Sequence, residues 1–256
     1  VALATVISEV LSAVLVLVSL MRSQDELAFS WRKLRIHRRS LSLMSKVGIP
    51  AGIQGCLFSL ANLAIQGAIN AYGSVVVAGS SAAGSIDGFI YVSMNTFHQT
   101  AQTFLSQNIG AGKYDRVKDI LKKCLLCTVV TGAILCTVAC VFSQPLLRIY
   151  NQDPAVVAAG TVRLYIAIAP YIIFGLADVL TGAIRGCGSP VRPVVINLLC
   201  TCVFRLLWIA AINTDTMPVT WVYASYPASW LVLLIALTVC WLRLYRRKIR
   251  PHLMPD

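Results

Sequence analysis

Long apolar runs alternate with short polar or basic stretches along the whole chain. Seven apolar segments stand out, at 1–20, 48–70, 78–108, 121–142, 157–182, 194–212 and 219–242. An α-helix needs about 20 apolar residues to cross a bilayer core of roughly 30 Å, and each segment meets or approaches that length. The pattern predicts an all-α, polytopic helical membrane protein. The run at 1–20 opens on Val1-Ala2-Leu3-Ala4-Thr5 without a basic leader, so the tail of a helix that starts upstream is expected rather than a signal peptide. Residues 21–46 form the longest and most basic connection, a boundary between two units. Pro170 and Pro227 fall inside apolar runs and predict kinks.

Charge fixes an orientation for these spans. Hydrophobic residues make up 57% of the chain and charged residues 12%, against about 25% charged in soluble domains. Of the 22 Lys and Arg, 19 lie in 21–46, 109–123, 183–193 and the tail after 242. The other three are Arg148, Arg163 and Arg205. Short loops retain Lys and Arg on the cytoplasmic side. The basic segments are therefore expected in the cytoplasm with the C-terminus, and 71–77, 143–156 and 213–218 outside. A net charge of +12 divided among loops on one side of a membrane excludes a nucleic-acid face. It favours membrane lipids as partners, with Lys113–Lys123 a basic surface segment suited to anionic headgroups. The nine cysteines lie in apolar runs or basic loops and read as small buried residues, not a disulfide framework.

No enzyme signature survives inspection. Gly110-Ala111-Gly112-Lys113-Tyr114 resembles the end of a phosphate-binding loop, but Gln107 replaces the first glycine and Tyr114 the Ser/Thr. Cys124-x-x-Cys127 has no second ligand pair for zinc. No metal site or cofactor is expected.

The chemistry that does stand out is polar residues at helical spacing inside apolar segments. Ser59, Asn62, Gln66 and Asn70 share one face of the 48–70 segment. They serve either as hydrogen-bonding glue to a neighbouring helix or as the lining of a wet cavity. A second stripe on 78–108 carries Asp87, Tyr91, Asn95, His98, Gln102 and Ser106. An ionisable group within a membrane is a functional candidate by default, so Asp87 reads as a proton or cation site or as a static ion pair. At 1.5 Å per residue, Asp87 lies roughly 14 Å and Arg205 roughly 11 Å inside the outer ends of their segments, depths that permit a buried pair. His98 reads as a cavity residue or a hydrogen-bonded packing histidine. Asp178, about 6 Å from the cytoplasmic end, is a further coupling candidate or a partner of headgroup water and Arg185. Glu9 lies near mid-depth of the first run, and Arg163 is near enough to the outer surface to snorkel. Gly48-x-x-x-Gly52, Gly84-x-x-x-Gly88 and Gly182-x-x-x-Gly186 permit close helix contact.

Several strings, in order, resemble the C-terminal half of the multidrug and toxic compound extrusion transporters. They are Ala2-Leu3-Ala4-Thr5-Val6-Ile7-Ser8; Pro50 with Ser59-Leu60-Ala61-Asn62-Leu63; Ile86-Asp87; Gln107-Asn108-Ile109-Gly110-Ala111-Gly112-Lys113-Tyr114-Asp115-Arg116-Val117; and Gly182-Ala183-Ile184-Arg185-Gly186-Cys187-Gly188 with Pro193 and Arg205. The resemblance implies one six-helix lobe at 47–242, preceded by the end of the last helix of an absent N-terminal lobe at 1–20. Residues 21–46 become the basic cytoplasmic inter-lobe linker and 243–256 the cytoplasmic tail, with the lobes related by an axis along the membrane normal. It further implies a multi-pass protein of the plasma (inner) membrane whose partners are small organic substrates and the absent lobe. The implied activity is export of organic, often cationic, compounds in exchange for Na+ or H+. The coupling candidates are Asp87, Asp178 and Glu9, the last facing the absent lobe. The cavity-lining candidates are Ser59, Asn62, Gln66, Asn70, Tyr91, Asn95, His98 and Gln102. Arg205 is the buried ion-pair candidate. The family subgroup with a carboxylate on the seventh helix is not matched, since 48–70 contains no acid. A lipid-linked oligosaccharide flippase of the wider superfamily and a non-transporting membrane scaffold are the alternatives.

Overall fold

The helix α3 (Ser74–Gly110) is the hub on which the other helices assemble. The computed structural model describes residues 2–22, 35, 37–212 and 216–253. Two compact units are distinguished, Val1–Lys46 and Val47–Asp256. The first holds α1 (Ala2–Arg22) and the opening of α2 (Arg38–Asn70). In the second, α3 is followed by a 3₁₀ turn at Tyr114–Arg116, α4 (Val117–Val141) and the short α5 (Ser143–Tyr150). Then come α6 (Pro154–Ile168) and α7 (Tyr171–Gly186), α8 (Val191–Asn197), a π-helical stretch Leu198–Val203, α9 (Phe204–Ala211) and α10 (Thr220–Leu244). Every regular element among the described residues is helical.

Four of the described helical stretches are long and apolar enough to cross a membrane, Ser74–Gly110, Tyr114–Val141, Val191–Ala211 and Thr220–His252. The pair α6 and α7, bent by 45°, passes the same test when taken together and is a fifth where the two form one span. The bend falls at Ala169-Pro170, because a proline lacks the N–H that would continue the helix and its ring displaces the preceding turn. The kink expected at Pro170 is therefore a full break. Pro227, by contrast, sits inside an uninterrupted α10. The expected outer connection 143–156 is largely helical, since α5 and the start of α6 occupy it; Asp153 Oδ1 caps α6 by accepting from Ala155 N at 2.9 Å, with Pro154 at its first position.

Glycines decide how closely the helices meet. A Cβ on Gly79 would lie 2.7 Å from Val156 O and from Gly160 N, so α3 and α6 touch backbone to backbone there. A Cβ on Gly182 would collide with the His98 carbonyl, and one on Gly186 would lie 2.7 Å from Gln102 O, so α7 is pressed equally closely on α3. Gly182-x-x-x-Gly186 is thus a packing motif, as its spacing suggests. Gly48, Gly52 and Gly88 have nothing within 4 Å, and Gly84 faces the Arg163 guanidinium. At the centre Met94 is fully buried, its thioether filling the hollows left by Gly132 and Gly175. One core cluster lies around Leu105, Leu121, Ile184 and Leu237, a second around Ile90, Met94, Leu164 and Trp230, and a third joins Ile65 and Ile69 to Val222 and Tyr223. The outer faces of α4 and α10 expose Val130, Ile134, Val141, Leu231, Ile235 and Leu242, the covering a helix presents to hydrocarbon.

Candidate functional site

A cavity of about 320 Å³ opens within the second unit, walled by residues from α2, α3, α6, α7, α10 and the π-helical stretch with its flanking helices. Its aromatic side comes from two elements. Tyr171 and Phe174 stand on the first turn of α7, which the break at Pro170 re-aims, and Tyr226 and Trp230 are one turn apart on α10. The rings interlock edge to face: Tyr171 to Trp230 at 5.1 Å, Tyr171 to Phe174 at 5.2 Å and Tyr226 to Trp230 at 5.9 Å.

The polar side carries the charges. Asp87, on the same face of α3 as Gly84 and Gly88, has Arg163 as its stronger and Arg205 as its weaker electrostatic partner, with the Tyr171 hydroxyl acting on it as well. Its Oδ1 is buried without a hydrogen-bond partner. Arg163 donates through its NH1 group to the Ser80 carbonyl and lies 6.0 Å from the centroid of the Tyr226 ring. Arg205 is 2% exposed, donates from Nε to Ser229 Oγ at 2.9 Å, and stacks its guanidinium 4.4 Å from the Tyr226 ring centroid. Thr201 lines the same space, and its buried Oγ1 has no partner. Five threonines in regular helix bond back to the carbonyl four residues earlier, as Thr128 does to Cys124 at 2.8 Å. Thr201 stands in the π-helical stretch, where the backbone bonds run to i−5 and that back-bond is not made.

Asp87 and Arg205 thus share the cavity, as their depths suggest, but they do not form an ion pair. Among the described residues, the carboxylate that has a histidine, lysine or arginine nitrogen within 4.0 Å is that of Asp178, 2.9 Å from His98 Nδ1. Arg205 is held by Ser229 and Tyr226, because α10 lies beside it. Arg163 is not directed outward to snorkel; it turns inward toward Asp87, on the cavity side of α6. His98 Nδ1 is 2.9 Å from both Asp178 Oδ1 and the Asp178 carbonyl. Both partners are acceptors, so Nδ1 carries the proton and donates. Asp178 also has an attractive interaction with Arg185.

Of the candidate lining residues, Asn62 and Tyr91 face the cavity with Asp87 and Arg205. His98 is buried between α3 and α7 rather than in the cavity wall. Ser59, Gln66, Asn70, Asn95 and Gln102 lie outside it, Gln66 donating to Asn70 Oδ1 at 3.1 Å on the surface of α2. Glu9 is exposed on α1 in the other unit. Sequence reasoning missed Tyr171, Phe174, Thr201, Tyr226 and Trp230. The proximity of Tyr171 and Phe174 to Pro170 was the available signal for two of them. All nine cysteines are free thiols, and Cys56 and Cys127 are exposed rather than buried as expected, since an apolar helix face turned away from the core can carry a thiol as readily as the packed face. No group of three or more metal-binding side chains occurs among the described residues.

Comparison with known proteins gives a consistent picture. The MatE family model matches residues 50–209. The chain is 25% identical over 238 residues to a probable multidrug resistance protein, YoeA, of Bacillus subtilis, covering 91% of this chain and 51% of that protein. It is 26% identical over 179 residues to a protein of Shewanella oneidensis named FAD transporter, covering 69% of this chain and 39% of that protein. Among solved structures, the outward-facing conformation of a multidrug resistance MATE family transporter of the MOP superfamily superposes with a TM-score of 0.80 at 14% identity, covering 98% of this chain and 56% of that one. At that identity the likeness concerns the fold. The chain spans about half the length of such relatives.

Proposed function

The chain belongs to the MatE family of multi-pass membrane transporters, and from that premise we propose that it is the C-terminal half of an exporter of organic compounds, cationic drugs among them. Its partners in this reading are an N-terminal lobe, which completes the central cavity, and the surrounding lipid. It acts in the plasma (inner) membrane with its C-terminus in the cytoplasm, an orientation supported by the concentration of 19 of the 22 Lys and Arg in alternate loops and the tail. Na+ or H+ is the coupling ion. The observation that carries the reading is the buried, unpartnered Oδ1 of Asp87 in an aromatic-walled cavity of about 320 Å³.

That oxygen is where a proton or cation would bind and leave. Arg205 has its own hydrogen bond and ring partner, which supports an exchangeable role for Asp87 over a static pairing with Arg205. Asp178 also has a buried oxygen without a hydrogen-bond partner, Oδ2, but its Oδ1 is held by His98 at 2.9 Å and Arg185 is close, a fixed engagement between α3 and α7 outside the cavity lining. Neutral Asp87→Asn in the complete protein is expected to abolish energy-dependent dye efflux while expression stays near that of the parent. Parental efflux from a well-expressed Asp87→Asn protein would move the coupling site to Asp178, to Glu9 or to the other lobe.

A further inference from the structure

The charge balance of the cavity runs against a cationic occupant. Two guanidinium groups, Arg163 and Arg205, face a single carboxylate, Asp87, so the lining that this chain's described residues supply carries, when ionised, one surplus positive charge. Both guanidiniums lean on the same ring, Tyr226, at 6.0 and 4.4 Å from its centroid. Two like charges gathered over one ring in a low-dielectric site repel each other strongly, and one carboxylate offsets only one of them. An entering ammonium would meet a carboxylate whose field is already cancelled by its two arginines.

We propose that this cavity is a binding site for organic carboxylates that carry a planar aromatic ring. This rests on the exporter reading and departs from it in one respect, the charge of the compounds that this lobe selects, anionic in place of cationic. The Nε N–H of Arg205 has Ser229 as its acceptor, and the side chain, 2% exposed, lines the cavity. A guanidinium so placed presents a planar pair of donors matched to the two oxygens of a carboxylate. The unpartnered Thr201 Oγ1, one helical turn before Arg205, adds a hydroxyl donor on the same wall. One carboxylate matches the surplus of one charge. The ring of the ligand then lies against Tyr171, Phe174 and Trp230, which pack on one another and line the cavity. The volume of about 320 Å³ falls within the range of small-molecule sites. Asp87 competes with the ligand for the two arginines, acting as a built-in substitute for its carboxylate.

Isothermal titration of the complete, detergent-solubilised protein with 1-naphthoate, and with 1-naphthylmethylammonium as the oppositely charged probe of the same ring, tests this. The parent is expected to bind naphthoate more tightly than the ammonium. Arg205→Gln should weaken naphthoate binding by about tenfold or more, the loss of a charge-assisted hydrogen-bonded pair. Asp87→Asn should tighten naphthoate binding, a gain that misfolding does not mimic and that keeps the test decisive where Arg205→Gln fails to fold. Thr201→Val should weaken it. Tighter binding of the ammonium by the parent, or naphthoate affinity unchanged or weaker in a folded Asp87→Asn protein, overturns the proposal. Failure of the exporter reading is separately visible, as absence of energy-dependent efflux from cells making the complete protein.

Discussion

Replacing Gly182 by alanine sets local propensity against tertiary packing, and the structure says which wins. In an exposed helix interior the change stabilises by about 1 kcal/mol, because alanine is the better helix former. At Gly182 the new methyl would collide with the His98 carbonyl oxygen and lie 3.1 Å from its carbon and 3.3 Å from its Cα. All three are backbone atoms of α3, so no side-chain rotation relieves the contact. Relief requires α3 and α7 to separate by on the order of 1 Å, and a gap of that size forfeits a quarter to a half of the dispersion energy of the neighbouring contacts. Overpacking costs about 1–3 kcal/mol, and the upper end applies to a backbone obstacle. Less the propensity gain, Gly182→Ala should lose about 2 kcal/mol, which at about 2–4 °C per kcal/mol lowers the melting temperature by about 4–8 °C. The same displacement would stretch the 2.9 Å bond from His98 Nδ1 to Asp178 Oδ1, which crosses this interface one turn away. The assay is thermal unfolding of the complete protein in detergent, beside Gly88→Ala on α3, where nothing lies within 4 Å. Gly88→Ala should melt at or above the parent. A Gly182→Ala protein as stable as the parent would refute the reasoning that α3 and α7 are in backbone contact.

Two further outcomes are expected. Burial pushes the Cys187 thiol, at the turn after α7, up to about 12, against a weaker opposing influence of Lys248. The thiolate is the reactive species, so with Cys187 as the sole cysteine, maleimide labelling of the folded protein at pH 7.5 should be far slower than of the unfolded chain. The folded state holds this proton more tightly than the unfolded one, so the contribution to stability is complete below the unfolded pKa of about 8.5 and is lost as pH rises from there toward about 12. Equal labelling rates of folded and unfolded protein would show that the site is open. Single cysteines placed in 213–218 should react with an impermeant reagent in intact cells while those in 21–46 do not, and the reverse pattern would invert the topology.

The sequence by itself determined what depends on one helix and its solvent. Lipid offers no partner to backbone N–H and C=O groups, so an apolar run of sufficient length becomes a helix wherever it lies in the fold. The positions of α3, α4, α10 and the stretch 191–211 were therefore legible, as was the break at Pro170. The expense of an ionised group in a membrane marked Asp87 and Arg205 as well, and both line the cavity. Only the tertiary structure decided what depends on direction around a helix axis and on which helices are neighbours. Depth along two helices placed Asp87 and Arg205 at one level without saying toward whom each turns, and Arg205 turns to α10. Gly48-x-x-x-Gly52 and Gly182-x-x-x-Gly186 are alike as strings, yet among the described residues only the second has a helix backbone against it, because close approach needs a partner that the spacing does not name. His98 and Asp178 stand 80 residues apart, and Tyr171 reaches Trp230 from another helix. Such pairs come into being when α7 and α10 pack on the rest, and no periodicity within one segment records that event.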